Sequence, residues 1–512
     1  MKKINPHNRI KLLTVVLLLL LIVLQGCASL RPPKTLQISG RPQEPVVFFA
    51  ALEKTVDAAG VRNAAGYPIP GFPYLRTNRF LVAMGAHIES PQKRNLWVRQ
   101  MQELDLSARK KEIRNFPDSA IARLTLRFGL KPYREALIEK MYSASQTLFR
   151  HDQNNSTFFS TLSKAVHYPD DYSNLLRAIG LYPVSSLAVA LLTHKVRSEF
   201  KTWYNTDLNK LNVRGEIHAF APPKNTYFSI EHLPQLLKRT QNQLGFPALS
   251  PDQKHKVAAA LAPFIYQDVA GIYDRPGKVL WEQKQVKIDP SNPTVYYYFT
   301  HAFFNEKPVL QINYVFWYSN RRGADAPWIE WGNVDGLTIR ITLDAGGEPL
   351  MVDGMNNCGC YHFFFPPKGT LPKKASSRWE PGPFAPQRLP ENFPANRLVL
   401  RINSGWHQVQ RATTTRPKAP GGVHTYRLVP YDILETLPHA EKKAESIFNA
   451  KGILKGSDRI EPLLLFSTGI RDVGAMRQRG HHPIKLVGKA HFDDPYLFDK
   501  SFIFKYKSPI LK

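Results

Sequence analysis

The chain has 512 residues, with 69 Lys and Arg against 41 Asp and Glu, and a formal net charge of +28. Its length allows two or three domains with hydrophobic cores of their own. Three cysteines exclude a fold held together by disulfides, and a single long apolar run, residues 12–24, excludes a polytopic membrane protein.

A basic start and a short apolar run open the chain. Four Lys and Arg residues precede residues 12–24, which are apolar except for Thr14. A run this short suits the core of a secretory signal and falls short of the roughly 20 residues that span a bilayer. We therefore predict a signal peptide over residues 1–26, with an uncleaved single-span anchor as the alternative.

The run ends in Leu24-Gln25-Gly26-Cys27, which resembles the lipobox of bacterial lipoprotein precursors. The resemblance implies that the chain is cut before Cys27, that the sulfur of Cys27 is lipidated, and that its new amino group is acylated. Two or more acyl chains make a stable membrane anchor. Ala28 and Ser29 follow the cysteine, without an Asp, and the resemblance then favours the outer membrane, facing the periplasm.

The strong positive charge concerns partners more than fold. Removing the four cations of residues 1–26 lowers the net charge from +28 to about +24. In the cell envelope, the expected anionic partners are phospholipid headgroups, cell-wall polymers and lipopolysaccharide. The compartment argues against nucleic acid, and no nucleic-acid-binding motif is present.

The remaining chain divides into a tether and two parts. Residues 27–45 carry four prolines and are predicted to be extended. Residues 46–275 show mostly helical patterns, and Ser250-Pro251-Asp252-Gln253 has the composition of a capped helix start. Residues 276–512 are rich in β-forming residues. The sequence therefore predicts an α+β protein, mainly helical first and β-rich second.

Two β-hairpins are predicted in the second part. Residues 294–300 and 309–318 flank a turn, and so do residues 337–343 and 348–352. Residues 366–394 contain eight prolines and form a long strap, which is either a lid or binding surface, or a surface excursion.

The strongest chemical candidate directly follows the second hairpin. On an extended strand, Cys358, Cys360 and His362 would project from one face. Two thiols and an imidazole suggest a site for a divalent transition metal such as zinc, or a redox pair. On a flat strand the thiols would lie too far apart for one tetrahedral metal, so Gly359 must kink the chain. His301 and His407 are candidates for additional ligands.

Three interpretations of the two cysteines stay open: a structural pair, either disulfide-linked or reduced, a metal site, and a redox-active dithiol. A disulfide between Cys358 and Cys360 would close a very small ring, and strained disulfides are readily reduced.

Two other kinds of site receive weaker support. Asp325, Glu330, Asp335, Asp344 and Asp353, with nearby tryptophans, suggest a glycosidase pair, although turn positions for the acids and core positions for the aromatics are the favoured explanation. Ser404 lies close to His407, but closeness in sequence does not define a catalytic triad.

These patterns predict a lipid-anchored protein of the bacterial cell envelope with a metal or thiol site. If the protein is an enzyme, which the sequence does not decide, a metal-assisted hydrolase is the leading hypothesis. The alternative is a non-enzymatic envelope protein that binds another protein or an anionic glycan or lipid surface.

Overall fold

The structure is a computed structural model that describes residues 38, 40–224, 228–375, 379–441 and 443–504. The signal peptide, Cys27 and most of the tether lie outside these residues. Among the described residues, no helix is both long enough and apolar enough to cross a membrane.

Helices dominate the first half. In the described residues the α-helices are α1 Gln43–Ala59, α2 Arg79–Met84, α3 Pro91–Asn115, α4 Asp118–Arg127, α5 Arg134–Gln153, α6 Phe158–Ala165, α7 Asn174–Ile179, α8 Tyr182–Asn205, α9 Leu233–Thr240, α10 Pro251–Leu261, α11 Pro462–Leu465 and α12 Leu497–Ser501.

Strands dominate the second half, although four of the 19 strands in the described residues lie before residue 270. They are β1 Tyr67–Ile69, β2 Phe72–Thr77, β3 Glu216–Ala221, β4 Phe264–Val269, β5 Lys278–Glu282, β6 Gln285–Asp289, β7 Thr294–Phe304, β8 Lys307–Arg321, β9 Gly332–Leu343, β10 Pro349–Asn356, β11 Phe363–Phe365, β12 Thr370–Pro372, β13 Val399–Ile402, β14 Val409–Thr413, β15 Val423–Thr425, β16 Arg427–Pro430, β17 Leu437–Pro438, β18 Ala444–Glu445 and β19 Phe502–Phe504. The predicted α+β class is confirmed.

Two sheets form the β-rich part. The larger has the order β11-β10-β9-β8-β7-β16, and the smaller has the order β14-β13-β4-β3-β15. Both predicted hairpins are confirmed, as β7 with β8 and as β9 with β10. The smaller sheet joins the two halves of the sequence, because β4 pairs in parallel with β13.

Two large hydrophobic cores hold these elements. One lies between the two sheets and α8, α9 and α10, with Ile312, Ile341 and Leu400 fully buried. The other lies within the helical half, around Phe48, Trp97 and Met101. Each core gathers the apolar faces that period-2 strands and period-3.6 helices present.

The tether prediction is wrong at its end, because residues 43–45 belong to α1. Pro45 lies in the first turn of this helix, where a backbone N–H has no partner within the helix and its absence costs little. The predicted strap has one short strand, β12, which pairs with β19. Its Phe384 and Phe393 are buried in the core between the sheets.

The predicted start of α10 is confirmed in detail. Ser250 accepts a hydrogen bond from the backbone N–H of Gln253, and the Gln253 side chain accepts one from the backbone N–H of Ser250. This reciprocal pair satisfies two amides that a helix end leaves without partners.

Replacing Ser250 with alanine should lower the free energy of unfolding by about 1 kcal/mol, because it leaves the Gln253 amide without its acceptor. Urea unfolding of the variant checks this value. Ser143→Ala, on an exposed position of α5, is the control and should stay within about 0.5 kcal/mol of the parent. Equal effects of the two substitutions would contradict the capping role.

Candidate functional site

A tight turn between β10 and β11 carries both cysteines. The amide of Gly359 donates to the carbonyl of Asn356 at 2.7 Å, and the amide of Asn356 donates to the carbonyl of Cys360 at 3.0 Å. Gly359 has φ +95°, and a Cβ there would lie 2.3 Å from the carbonyl oxygen of Pro483. The kink that the sequence required at Gly359 is therefore present, and only glycine fits it.

The two thiols are close but not joined. Both cysteines are free, Cys358 buried and Cys360 partly exposed, and the Cys360 amide donates to the Cys358 sulfur at 3.4 Å. A hydrogen bond from the Cys360 thiol, helped by the nearby Arg321 cation, lowers the pKa of Cys358. The same hydrogen bond and burial raise the pKa of Cys360. Of the two thiols, Cys358 is therefore the one that ionises more readily.

Residues 357–362 are not extended, so the strand alternation that was expected to place Cys358, Cys360 and His362 on one face is absent, although all three residues line one pocket. The turn at Gly359 and a positive φ at Tyr361 break the alternation of an extended strand. The His362 Nε2 atom lies 2.9 Å from Asp353 Oδ2, and Arg340 pairs with the same carboxylate. Burial lowers the pKa of His362. His362 is therefore a buried histidine whose imidazole is hydrogen-bonded to Asp353.

The other two candidate histidines, His301 and His407, do not line the pocket that the cysteines line. His301 packs against Phe80 and Phe246, and burial lowers its pKa to about 3. His407 bridges two buried carboxylates. No three His, Cys, Asp or Glu side chains among the described residues are arranged to hold a metal ion. The metal site therefore has no support from the described part of the chain, and we carry the metal-assisted hydrolase no further.

A buried charge network surrounds His407. Its Nδ1 atom lies 2.7 Å from Asp335 Oδ2, and its Nε2 atom lies 3.2 Å from Asp274 Oδ1. Burial opposes protonation, but these two hydrogen bonds prevail and raise the pKa of His407. The Ser404 hydroxyl donates to Asp274 at 2.8 Å rather than to the imidazole. The arrangement therefore lacks the serine–histidine contact of a catalytic triad.

The network continues to the cysteine turn through Arg321. Its guanidinium donates to both oxygens of Asp335, at 2.9 and 3.0 Å, and also pairs with Glu330. Glu330 in turn accepts hydrogen bonds from the Tyr361 hydroxyl and from the Trp406 indole. Glu330 and Asp335 therefore share one arginine, and Glu330 connects the charge network to the cysteine turn through Tyr361.

An apolar pocket of about 260 Å³ opens beside the turn. Val189, Val196 and Phe200 of α8 form one wall, and Phe384 of the Pro-rich strap lines another. Cys358 and Cys360 lie at its polar end, together with Arg197, Glu330 and Glu461. The pocket therefore offers an apolar surface next to a thiol of lowered pKa.

Glu461 is the acid of this pocket whose pKa is most displaced. Burial, with the neighbouring charges of Cys358 and Glu330, raises the pKa of Glu461 to about 8. Its carboxyl group therefore keeps its proton near neutral pH and can donate it to a departing thiolate.

The raised pKa of Glu461 has a measurable consequence for stability. Between the ordinary value of 4.5 and about 8, the folded protein keeps a proton that the unfolded chain has lost, so the Glu461 contribution falls as pH rises. Glu461→Gln should remove this pH-dependent decrease in the free energy of unfolding. The stability of this variant relative to the parent should improve between about pH 5 and about pH 8. Urea unfolding at several pH values measures it, with the exposed Glu139→Gln as control. If the free energy of unfolding changed with pH in the same way in the parent and in Glu461→Gln, the raised pKa of Glu461 would be contradicted.

Sequence reasoning found the cysteines but missed their surroundings. Arg321, Asp274 and Glu461 are far from Cys358 in the sequence, and no local pattern marks them as neighbours. Arg321 follows the polar residues Ser319 and Asn320 at the end of β8, so the sequence around it gives no sign that its guanidinium is buried.

Comparison with protein-family models, with curated proteins and with solved structures finds no match for this chain.

Proposed function

We propose that this chain is a lipid-anchored protein of the bacterial cell envelope that exchanges thiols and disulfides through Cys358 and Cys360. The observation that carries the proposal is a thiol of lowered pKa, Cys358, beside a second thiol at the end of an apolar pocket. The anchor rests on the resemblance of residues 24–27 to a lipobox. The substrate class is a molecule that carries a disulfide or a pair of thiols. An apolar group next to its sulfur atoms would occupy the apolar pocket.

The exchange balances without any further reactant. The Cys358 thiolate attacks one sulfur of a substrate disulfide, the substrate S–S bond breaks, and its leaving sulfur takes a proton from Glu461 or Cys360. The Cys360 sulfur then attacks Cys358, the Cys358–substrate S–S bond breaks, and the second substrate sulfur leaves as a thiol with the other of these two protons, so that Glu461 ends as a carboxylate. The protein dithiol has become a disulfide and the substrate disulfide two thiols. The reverse sequence transfers a disulfide to the substrate.

Two features favour transfer of a disulfide to the substrate. A stabilised Cys358 thiolate favours the reduced pair, and the small ring of a Cys358–Cys360 disulfide disfavours the oxidised pair. Both raise the reduction potential. Equilibration in glutathione buffers, with thiols counted by mass spectrometry, should give a two-electron transition above about −230 mV. A pair that forms no disulfide at any buffer ratio would overturn the proposal.

The anchor is tested separately from the dithiol. Cells that express the protein with labelled palmitate should yield labelled protein in the outer-membrane fraction, and Cys27→Ser should abolish both the label and the membrane fractionation. Label that persists in Cys27→Ser would remove the anchor and leave the dithiol proposal intact.

A second function, contact with the membrane surface, is favoured by the distribution of exposed apolar side chains. Among the described residues, ten of the 24 exposed large apolar side chains fall in residues 175–192 and 463–466. We call these ten the apolar patch: Leu175, Ile179, Leu181, Val184, Leu187, Leu191, Leu192, Leu463, Leu464 and Phe466.

The two segments of the apolar patch touch. A Cβ on Gly180 would lie 2.3 Å from Cβ of Ser467, and Arg177 donates to the carbonyl oxygens of Thr468 and Gly488. Arg177 is the only charged residue between positions 175 and 192, and these bonds hold its guanidinium. A contiguous apolar surface with so little charge suits the acyl boundary of a bilayer, and an acylated Cys27 would keep the bilayer within reach.

Vesicles of phosphatidylethanolamine and phosphatidylglycerol test this second function. The mature chain with Cys27→Ser should cosediment with them, and Leu191→Glu with Leu463→Glu should bind at least about tenfold more weakly. Leu126→Glu is the control, because Leu126 is 83% exposed on α4, outside the apolar patch. Binding that the double variant retains, or that high salt abolishes, would contradict an apolar contact.

A further inference from the structure

Arg197 of α8 is a cation that no carboxylate neutralises. Its Nη1 atom donates to the carbonyl of Gly382 at 2.6 Å, and its guanidinium lies 5.6 Å from the centroid of the Phe384 ring. Arg197 forms no ion pair within the described residues, which include every Asp and Glu of the chain. Burial therefore lowers the pKa of Arg197, to about 10. A cation held away from water without a counter-charge is costly, and a bound anion would offset part of that cost.

The guanidinium of Arg197 remains within reach of a ligand. Its Nε and Nη2 atoms have no hydrogen-bond partner among the described residues, and neither is enclosed by the protein. Arg197 lines the pocket of the two cysteines, which we call the thiol pocket, and it also lines a second cavity of about 480 Å³. It therefore lies where the two spaces adjoin.

The second cavity has six cations and two carboxylates on its walls, and we call it the basic cavity. Three of its lysines are paired with acids. These ion pairs are Lys485–Glu380, Lys500–Asp494 and Lys489–Asp170, each at 2.6 Å. The other three cations, Arg197, Lys373 and Lys374, form no ion pair with a carboxylate of the described residues. Positive charge therefore remains in excess, which favours an anionic group.

The acids at the polar end of the thiol pocket do not neutralise Arg197 either. Glu330 pairs with Arg321, and the raised pKa of Glu461, about 8, leaves its carboxyl group protonated near neutral pH. An anion at Arg197 would therefore meet one paired carboxylate and one neutral acid rather than two free carboxylates.

The thiol pocket opens on the apolar patch. Leu192, a member of the apolar patch, lines the pocket, and so does Leu465, which lies between the members Leu464 and Phe466. Val196 continues the apolar wall along α8 as far as the arginine. A wall that starts at the apolar patch and ends at an unpaired cation fits an amphiphile with an acyl chain and an anionic headgroup.

We propose that the thiol pocket binds one acyl chain of an anionic phospholipid, with the phosphate of the headgroup at Arg197. A guanidinium forms paired hydrogen bonds with phosphate oxygens, and the basic cavity offers space and positive charge for the rest of the headgroup. The proposal does not rest on thiol exchange, because it uses only the shape and charge of the two cavities. A bound lipid would compete with a thiol substrate for the pocket.

The test is calorimetric titration of the mature chain, carrying Cys27→Ser, with lauroyl lysophosphatidylglycerol below its micelle concentration. This single-chain anionic lipid should bind saturably. Monolauroyl glycerol, which has the chain without the phosphate, should bind at least about tenfold more weakly. Glycerol phosphate, which has the anion without the chain, should not bind detectably. Laurate that bound more tightly than the lysophospholipid would identify a fatty acid as the ligand and overturn the proposal.

Arg197→Gln should weaken binding of the lysophospholipid by about tenfold or more and leave binding of monolauroyl glycerol unchanged. The control is Lys195→Gln, which removes an exposed cation of the same helix that lines neither cavity. Leu192→Trp should obstruct the pocket and weaken binding of both lipids. Leu191→Trp should not, because Leu191 is 62% exposed, against 60% for Leu192, but does not line the pocket.

Four results would overturn the proposal: no saturable binding of the lysophospholipid, equal binding of monolauroyl glycerol, equal binding by Arg197→Gln and Lys195→Gln, or equal binding by the two tryptophan variants. The titration involves no thiol chemistry, so its outcome is independent of the equilibration in glutathione buffers that tests the dithiol.

Discussion

Arg321→Met should lower the free energy of unfolding by about 3–5 kcal/mol, one of the largest losses available in this chain. Arg321 is 3% exposed and is the cation shared by Glu330 and Asp335. Its removal leaves two buried carboxylates without their shared cation, although Asp335 keeps its contact with His407. Urea unfolding followed by circular dichroism measures the loss.

The control for this substitution is Arg214→Met. Arg214 pairs with Asp325 at 2.7 Å on the surface, where an ion pair contributes at most about 1 kcal/mol. Similar losses in the two variants would mean that burial of the charge network does not matter. A second, smaller expectation concerns Arg321→Met as well: the pKa of Cys358 should rise, because Arg321 is one cause of its depression.

Cys358→Ser should abolish the fast alkylation of the folded protein, whereas Cys360→Ser should keep it and shift it to higher pH. The reason is that Cys358 ionises more readily than Cys360, and the hydrogen bond from the Cys360 thiol is the first cause of its lowered pKa. Without that donor, a smaller fraction of Cys358 is ionised at a given pH. The rate of iodoacetamide labelling against pH, read by mass spectrometry, gives both results.

The opposite order of reactivity would contradict this assignment of roles. If Cys358→Ser kept the fast phase, Cys360 would be the nucleophile. If neither thiol reacted in the folded protein while both reacted in urea, the pair would be a buried structural pair, as one of the sequence interpretations held. Cys27 is acylated in the proposed mature protein and does not contribute to the labelling.

The elements that sequence predicts best are those whose information is local. The hairpin β7–β8 joins two runs of β-forming residues through a turn at residues 305 and 306, and the capping box at Ser250 lies within four residues. His362 was predicted to share a face with the cysteines because alternation was extended through Gly359. The positive φ at that glycine, imposed by the close approach of Pro483, ends the alternation.

The surroundings of the candidate site could not be predicted from such patterns. His407 meets Asp335 and Asp274, which are 72 and 133 residues away along the chain. Asp274 and His407 follow the paired parallel strands β4 and β13, whereas Asp335 lies on β9 of the other sheet. A single sequence contains no periodic signal for that pairing, because its register depends on packing between the two sheets.

The parallel pair β4–β13 has a consequence for how this chain is made. Residue 264 must find residue 399, and the connection between them contains most of the larger sheet. Closing so long a loop slows folding, and β4 has an unpaired edge until the later strand arrives. A fragment that stops near residue 275 would keep β3 and β4 without β13 and would expose a strand edge that promotes aggregation. The helical half is therefore a poor unit for separate expression. During biosynthesis, β3 and β4 can complete the smaller sheet only after the ribosome has passed residue 402.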